Sequence, residues 1–142
     1  MEYFTFGLIK TGAMDRGRAR RIQRDIFAKR LIIMRAGPVL RLQPETIEAF
    51  YAEHVGRVYW PDLRASIAGD VLPLLVYDPA GNAIERLREA MGATDPRKAA
   101  PGTIRGDHGN MAGPMADNAI HGSDSPENFH RELGIIWPGG GY

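Results

Sequence analysis

Val71 to Asp78 reads VLPLLVYD, and the fold turns on what this stretch is. It is a short, nearly continuous apolar run followed by the turn sequence PAGN and then by GNAIERLREAMG. Such a run bounded by turn residues predicts a buried strand. In the segment after the turn, Ile84, Leu87 and Met91 recur at helical spacing. Asn82, with Glu85 three residues on, is a capping signal, and Gly92 closes the last turn. At about 100° per residue Arg88 lies some 40° from Ile84, at the rim of the apolar stripe, whereas Arg86 points nearly opposite. If one of these arginines faces a site, it is Arg88.

Upstream, EYFTFGLIK reads as a first strand ending at Lys10. The loop TGAMDRG leads into RGRARRIQRDIFAKR, Arg16 to Arg30, where Ala19, Ile22 and Ile26, joined by Phe27, form a helical stripe beside a basic face. RLIIMRAGPVLRL, Arg30 to Leu42, reads as a second strand broken or bulged near Gly37-Pro38, since proline cannot donate to a ladder. PETIEAFYAEH and the segment started by Pro61 read as short helices. Downstream, Ala93 to Asn118 is rich in glycine and proline, has little periodicity and reads as one long loop, a feature that is usually functional or disordered. A short strand then delivers His121. Ser125 caps a last helix with Pro126 at its first position, Phe129 and Leu133 inward and Gly134 at its end. This order of elements predicts an α+β fold in which helices cover an antiparallel sheet.

Composition bounds the function. The 142 residues, 44% of them apolar, suit one domain spanning 1–142. No membrane span and no secretory signal is legible, so the expected location is the cytoplasm. The absence of cysteine removes disulfides, thiolate nucleophiles and Cys-ligated zinc. The net charge of +1 hides an asymmetry: residues 1 to 43 hold ten Lys/Arg against three Asp/Glu, and residues 44 to 142 hold eight against fourteen. Two readings of the basic helix stay open, a solvated face or a surface for nucleic acid or another partner.

In NAIHGSDS, Asn118 to Ser125, two small apolar residues run into a histidine and then into glycine and hydroxyl groups. A histidine that attacks a phosphoryl group needs one bare ring nitrogen and a hydrogen-bond acceptor on the other. Glu132, on the following helix, is the candidate acceptor. Phosphoryl transfer also needs fixed cations, for which Lys10, Arg88 and Arg105 are candidates. No GxxxxGK[ST] occurs, and no strand leads into GxGxxG, so a nucleotide would be held by side chains. The four histidines match no zinc spacing, and a purely structural role for His121 stays open on residues alone.

PGTIRGD (Pro101 to Asp107) and NAIHGSDS, followed by ELGIIW, resemble nucleoside diphosphate kinases. The resemblance extends to the strand ending in Lys10, to FYAEH with Tyr51, to GRVYWPDL with Tyr59 and to RLREAMGATDP with Arg88 and Thr94. It implies a ferredoxin-like βαββαβ four-stranded sheet covered by helices. It also implies a ping-pong transfer of the γ-phosphate of ATP, or another nucleoside triphosphate, to a nucleoside diphosphate. In that mechanism His121 is the nucleophile, Glu132 orients it and Ser123 bonds the carboxylate. Arg88, Thr94 and Arg105 hold phosphates, and Lys10 and Asn118 lie around ribose and phosphates. Tyr51 stands beside the histidine, and Tyr59 replaces a phenylalanine that stacks on the base. The resemblance further implies Mg²⁺ carried on the nucleotide with no direct protein ligand, and a homo-oligomer built from dimers, a tetramer or hexamer.

Three departures bear on these expectations. KTGAMDRG replaces the family's usual Lys-Pro-Asp-Gly, which predicts a looser lysine. The stretch 108–117 is about three residues longer than usual. The chain stops at WPGGGY, short of the segment many relatives use to brace neighbouring subunits. These departures, with the basic helix, motivate the alternative of a catalytically impaired nucleotide- or nucleic-acid-binding module on the same fold.

Overall fold

The computed structural model describes every residue except Arg16, Gly141 and Tyr142, so the first residue of the basic run and the last two of WPGGGY lie outside the described residues. Five strands, β1 (Phe4–Ile9), β2 (Ile32–Ala36), β3 (Leu40–Arg41), β4 (Asp70–Tyr77) and β5 (Ile120–Gly122), form one antiparallel sheet. Its order is β2-β4-β1-β5, with β3 also on β4. The helices are α1 (Arg18–Ala28), α2 (Pro44–Phe50), α3 (Trp60–Ala65), α4 (Ala83–Met91), α5 (Ile104–His108) and α6 (Pro126–Ile136). This is the ferredoxin-like βαββαβ arrangement, except that its second strand is split in two.

The split and a proline inside β4 explain each other. Pro73 pairs with Leu8 of β1 in a central strand, where a missing N–H would normally break a ladder. In a strand the N–H and C=O of one residue face the same neighbour. Gly37 N–H donates to the Pro73 carbonyl at 2.9 Å, so the missing donor faces the break between Ala36 and Leu40, where the ladder is interrupted. The Gly37-Pro38 peptide there is cis.

Strand alternation builds two cores. Leu72, Leu74 and Val76 of β4 join Ile9 and Ile120 beneath α1, α4 and α5. Phe6, Leu8, Val71 and Leu75 face the other way, against Ile47 and Phe50 of α2 and Phe129 and Leu133 of α6. Since Ile120 belongs to the first core, the next residue, His121, emerges on the α2/α6 side. That alternation aims the histidine.

Several local expectations change. Phe27 does not join the α1 stripe; Ile22 and Ile26 are fully buried while Phe27 is 71% exposed, because the core is completed by Leu31 and Ile104 instead. Asn82 stands at the start of α4 without a side-chain cap. The buried Asp78 takes that place, accepting from Ala80 N–H at 2.9 Å, Asn82 N–H at 3.1 Å and Arg86 at 2.8 Å. Burial alone would raise the Asp78 pKa, but these bonds outweigh it and hold the carboxyl below its usual range. Gly134 lies inside α6, which continues to Ile136 because Leu133, Ile136 and Trp137 are buried. The long loop contains α5, capped by the Thr103 hydroxyl, which accepts from Gly106 N–H at 3.1 Å. Among the described residues no helix is long and apolar enough to cross a membrane.

Candidate active site

His121 sits on β5 at the wall of a cavity of about 620 Å³. Its Nε2 lies 2.6 Å from Glu132 Oε1, and the Ser123 hydroxyl donates to the same oxygen at 2.9 Å. With the carboxylate accepting, Nε2 carries the proton and Nδ1 is left bare. Phe50 and Tyr51 stand edge-on to the imidazole, with ring centroids 4.9 and 5.6 Å away. Glu132 is buried on α6, and that helix is tied to the end of α2 by Arg131, which donates to the carbonyls of Ala49 at 2.9 Å and Phe50 at 3.2 Å. Arg131 Nη2 is 3.6 Å from the other Glu132 oxygen. The ring is thus clamped by its acceptor on one side and by aromatic edges on the other.

Three cations line the same cavity: Lys10 from the end of β1, Arg88 from α4 and Arg105 from α5. Arg105 is placed by two carbonyls that its guanidinium donates to, Gly92 at 3.2 Å and Ile120 at 2.9 Å. One of these closes α4, where Gly92 has φ +84°, and the other belongs to the residue before His121. Burial lowers the Arg105 pKa to about 10, with Tyr51 opposing and Arg88 reinforcing the shift, so it stays charged at neutral pH. Asn118 is buried and donates to the Thr94 carbonyl at 2.9 Å, while its Oδ1 is buried without a partner among the described residues.

The lysine is not loosened by the Thr11-Gly12 exit. Lys10 is 3% exposed, and its ammonium donates to the Ala116 carbonyl at 3.0 Å. That carbonyl belongs to the stretch 108–117, so the strand exit and this stretch meet at the lysine. The strand exit packs closely here, since a Cβ on Gly12 would meet the Asp117 carboxylate. A 3₁₀ turn at Thr11–Ala13 anchors the exit, and Thr11 accepts from Gly69 N–H at 3.0 Å.

Electrostatics follow from crowding cations in a dry place. Burial, and then Arg105, lower the Lys10 pKa to about 7, with Asp117 pulling the other way. Burial also lowers the His121 pKa against the opposing pull of Glu132, and Lys10 and Arg105 add to the lowering. The imidazole is therefore neutral at neutral pH, as a nucleophile must be. Burial and the charge of Glu132 raise the Tyr51 hydroxyl, so it stays protonated.

A pH effect with a definite sign results. In the free protein at pH 8, above a pKa of about 7, Lys10 is mostly neutral. An anionic ligand beside it favours the charged form, so binding of a phosphate-bearing anion there would take up a proton. The check is calorimetric: the binding enthalpy at pH 8 should vary with the ionisation enthalpy of the buffer in the sense of uptake. An enthalpy independent of buffer would contradict it.

Comparison with known proteins places this geometry. The family model for nucleoside diphosphate kinase matches residues 4–140. The chain belongs to the nucleoside diphosphate kinase family. It is 40% identical to a nucleoside diphosphate kinase of Nocardioides sp., over 98% of this chain and 99% of that protein. To the Moorella thermoacetica enzyme it is 40% identical, over 94% and 92%. Its structure resembles that of the Aquifex aeolicus nucleoside diphosphate kinase, with a TM-score of 0.83, 30% identity and 96% of each chain covered. It also resembles a halophilic nucleoside diphosphate kinase from Halobacterium salinarum solved in complex with CDP, with a TM-score of 0.84 and 30% identity over 97% and 89% of the two chains. As a nucleoside diphosphate kinase, the protein is a phosphotransferase whose substrates are nucleotides.

Within this kinase the structure brings the sequence-derived candidates together. Lys10, Tyr51, Tyr59, Arg88, Thr94 and Arg105 line one cavity, as do Asn118, His121 and Glu132. Ser123 is buried behind Glu132. Sequence reasoning missed Phe50, the Arg131 clamp and the backbone carbonyl of Ala116. It also missed the pairing of Tyr59 with His54, whose Nδ1 is 2.6 Å from the Tyr59 hydroxyl. Only the last had a legible signal, two polar-tipped rings five residues apart across a turn.

Proposed function

We propose that the chain transfers the γ-phosphate of ATP or another nucleoside triphosphate to a nucleoside diphosphate by a ping-pong reaction through phospho-His121. The observation that carries this is the 2.6 Å contact of His121 Nε2 with Glu132, which leaves Nδ1 bare in a cavity also lined by Lys10, Arg88 and Arg105. Nδ1 attacks the γ-phosphorus, the N–P bond forms as the bond to the β–γ bridging oxygen breaks, and the diphosphate departs. The second half runs the same step backwards onto another diphosphate. Glu132, oriented by Ser123, stabilises the positive charge that develops on the ring. Arg88, Arg105 and Thr94 hold the phosphates, Lys10 and Asn118 the ribose and transferred phosphate, and Tyr51 flanks the reacting ring.

Tyr59 is read as the face on which the base stacks. Every base has such a face, so base selectivity is low. Mg²⁺ is read as an ion carried by the nucleotide's phosphates, whose charge it screens, with no direct protein ligand. Against an impaired module stands the completeness of the cation set; Arg20, Arg21 and Arg24 of the basic helix, where nucleic acid would bind as a secondary partner, lie outside the cavity. We read residues 1–142 as one cytoplasmic domain. It is also read as a homo-oligomer of dimers, since β2 is a sheet edge carrying exposed Ile32 and Met34.

Ping-pong transfer predicts parallel double-reciprocal plots when one nucleotide is varied at several fixed levels of the other. Intersecting lines would mean that donor and acceptor bind together, and would overturn the covalent route.

A further inference from the structure

Tyr59 is 46% exposed, and its neighbour Val58 is 96% exposed, so packing does little to hold its ring. Among the described residues, the side-chain hydrogen bond and the ring contact recorded for Tyr59 are both with His54: the hydroxyl lies 2.6 Å from Nδ1, and the ring centroids are 5.5 Å apart. His54 is itself held from two sides. Its Nε2 is 3.4 Å from Glu53 Oε1, and its ring stands edge-on to the buried Tyr51 at 5.7 Å. The negative charge of Glu53 near Nε2 favours the imidazole proton on that nitrogen, and Nδ1 then accepts from the Tyr59 O–H. The backbone adds rigidity, as His54 closes a 3₁₀ turn over Ala52–His54 and its carbonyl accepts from Arg57 N–H at 3.1 Å.

We propose that His54 is a positioning residue for nucleotide binding: by accepting the Tyr59 hydroxyl proton it fixes a half-exposed ring in the orientation that the base rests on. The inference rests on the reading of Tyr59 as the stacking platform. Its physical content is preorganisation. A ring free to change rotamer must be ordered when ligand binds, whereas one held beforehand has already lost that freedom. A phenylalanine at position 59 could not be held this way, because it has no proton to give.

The test is a double-mutant cycle on ADP affinity by titration calorimetry, with kcat at saturating nucleotides measured alongside. His54→Leu and Tyr59→Phe should each weaken ADP binding about five-fold, the effect of one neutral hydrogen bond, and for His54→Leu the loss should appear in KM and not in kcat. The double variant should be no weaker than either single one, because both remove the same bond. His54→Asn, whose amide offers an acceptor near the place of Nδ1, should bind within about two-fold of wild type. Three results overturn the proposal: a double variant weakened by the product of the single effects, His54→Leu binding like wild type, or His54→Leu lowering kcat with affinity intact, which would place its action on Tyr51 and His121. Tyr59→Ala separates this failure from that of the underlying reading. If it leaves ADP affinity unchanged, the base does not rest on this ring and both fall. If it weakens binding while His54→Leu does not, only the role of His54 falls.

Discussion

His121→Ala is expected to lower phosphate transfer by on the order of 10⁴-fold or more, the scale on which removal of a nucleophile acts, while ATP still binds. The reason lies in how little else the cavity offers. Phosphoryl transfer is mostly positioning plus charge, and the three cations that line the cavity, Lys10, Arg88 and Arg105, remain after the ring is gone. The hydroxyls nearest the ring are poor substitutes: Ser123 is 1% exposed and its hydroxyl is already given to Glu132, and Tyr51 is kept protonated by burial. Binding should change little, because the side chain removed is a neutral ring rather than a phosphate ligand. Steady-state transfer and ATP affinity, measured on the same preparation, check both halves. Residual transfer within about a hundred-fold of wild type would point to another nucleophile.

Arg105→Ala has the second largest expected effect, and it acts twice. Loss of a charge-assisted contact to phosphate costs about 1.5 to 3 kcal/mol, or roughly 10- to 150-fold in kcat/KM. The same guanidinium also ties the Gly92 carbonyl at the end of α4 to the Ile120 carbonyl beside His121, so its loss should lower Tm as well. Arg105→Lys separates the two contributions. It keeps a positive charge but cannot donate to both carbonyls as a planar fork does, so it should recover part of the binding and little of the stability. If Arg105→Ala left kcat/KM unchanged while lowering Tm, the residue would be structural only.

Much of this was legible before any coordinates. The apolar run at Val71 to Asp78, the amphipathic stripe of Ile84, Leu87 and Met91, and the Ser125-Pro126 helix start are local signals, and the chain obeys them. The pairing of His121 with Glu132 was expected from chemistry, since a nucleophilic imidazole needs an acceptor, and the helix after β5 carries one. What escaped was decided by contacts distant in sequence. Helix α5 is five residues with a glycine inside, too short for a periodicity signal. It is held by Arg105 and by His108, whose Nε2 lies 2.7 Å from Asp25 of α1. The firm seat of Lys10 depends on a carbonyl 106 positions away, inside a stretch whose glycines and proline concealed its path. Spacing alone turns Phe27 inward, yet Leu31 and Ile104 occupy the core beside α1.

The most direct measurement is covalent. Incubate the protein with γ-labelled ATP and Mg²⁺, remove the nucleotide, and map the label. The account predicts label that is stable in base, lost in acid, attached to His121 and discharged by any added nucleoside diphosphate. A protein that binds ATP yet stays unlabelled, or whose label is acid-stable and lies on Ser123, would contradict it.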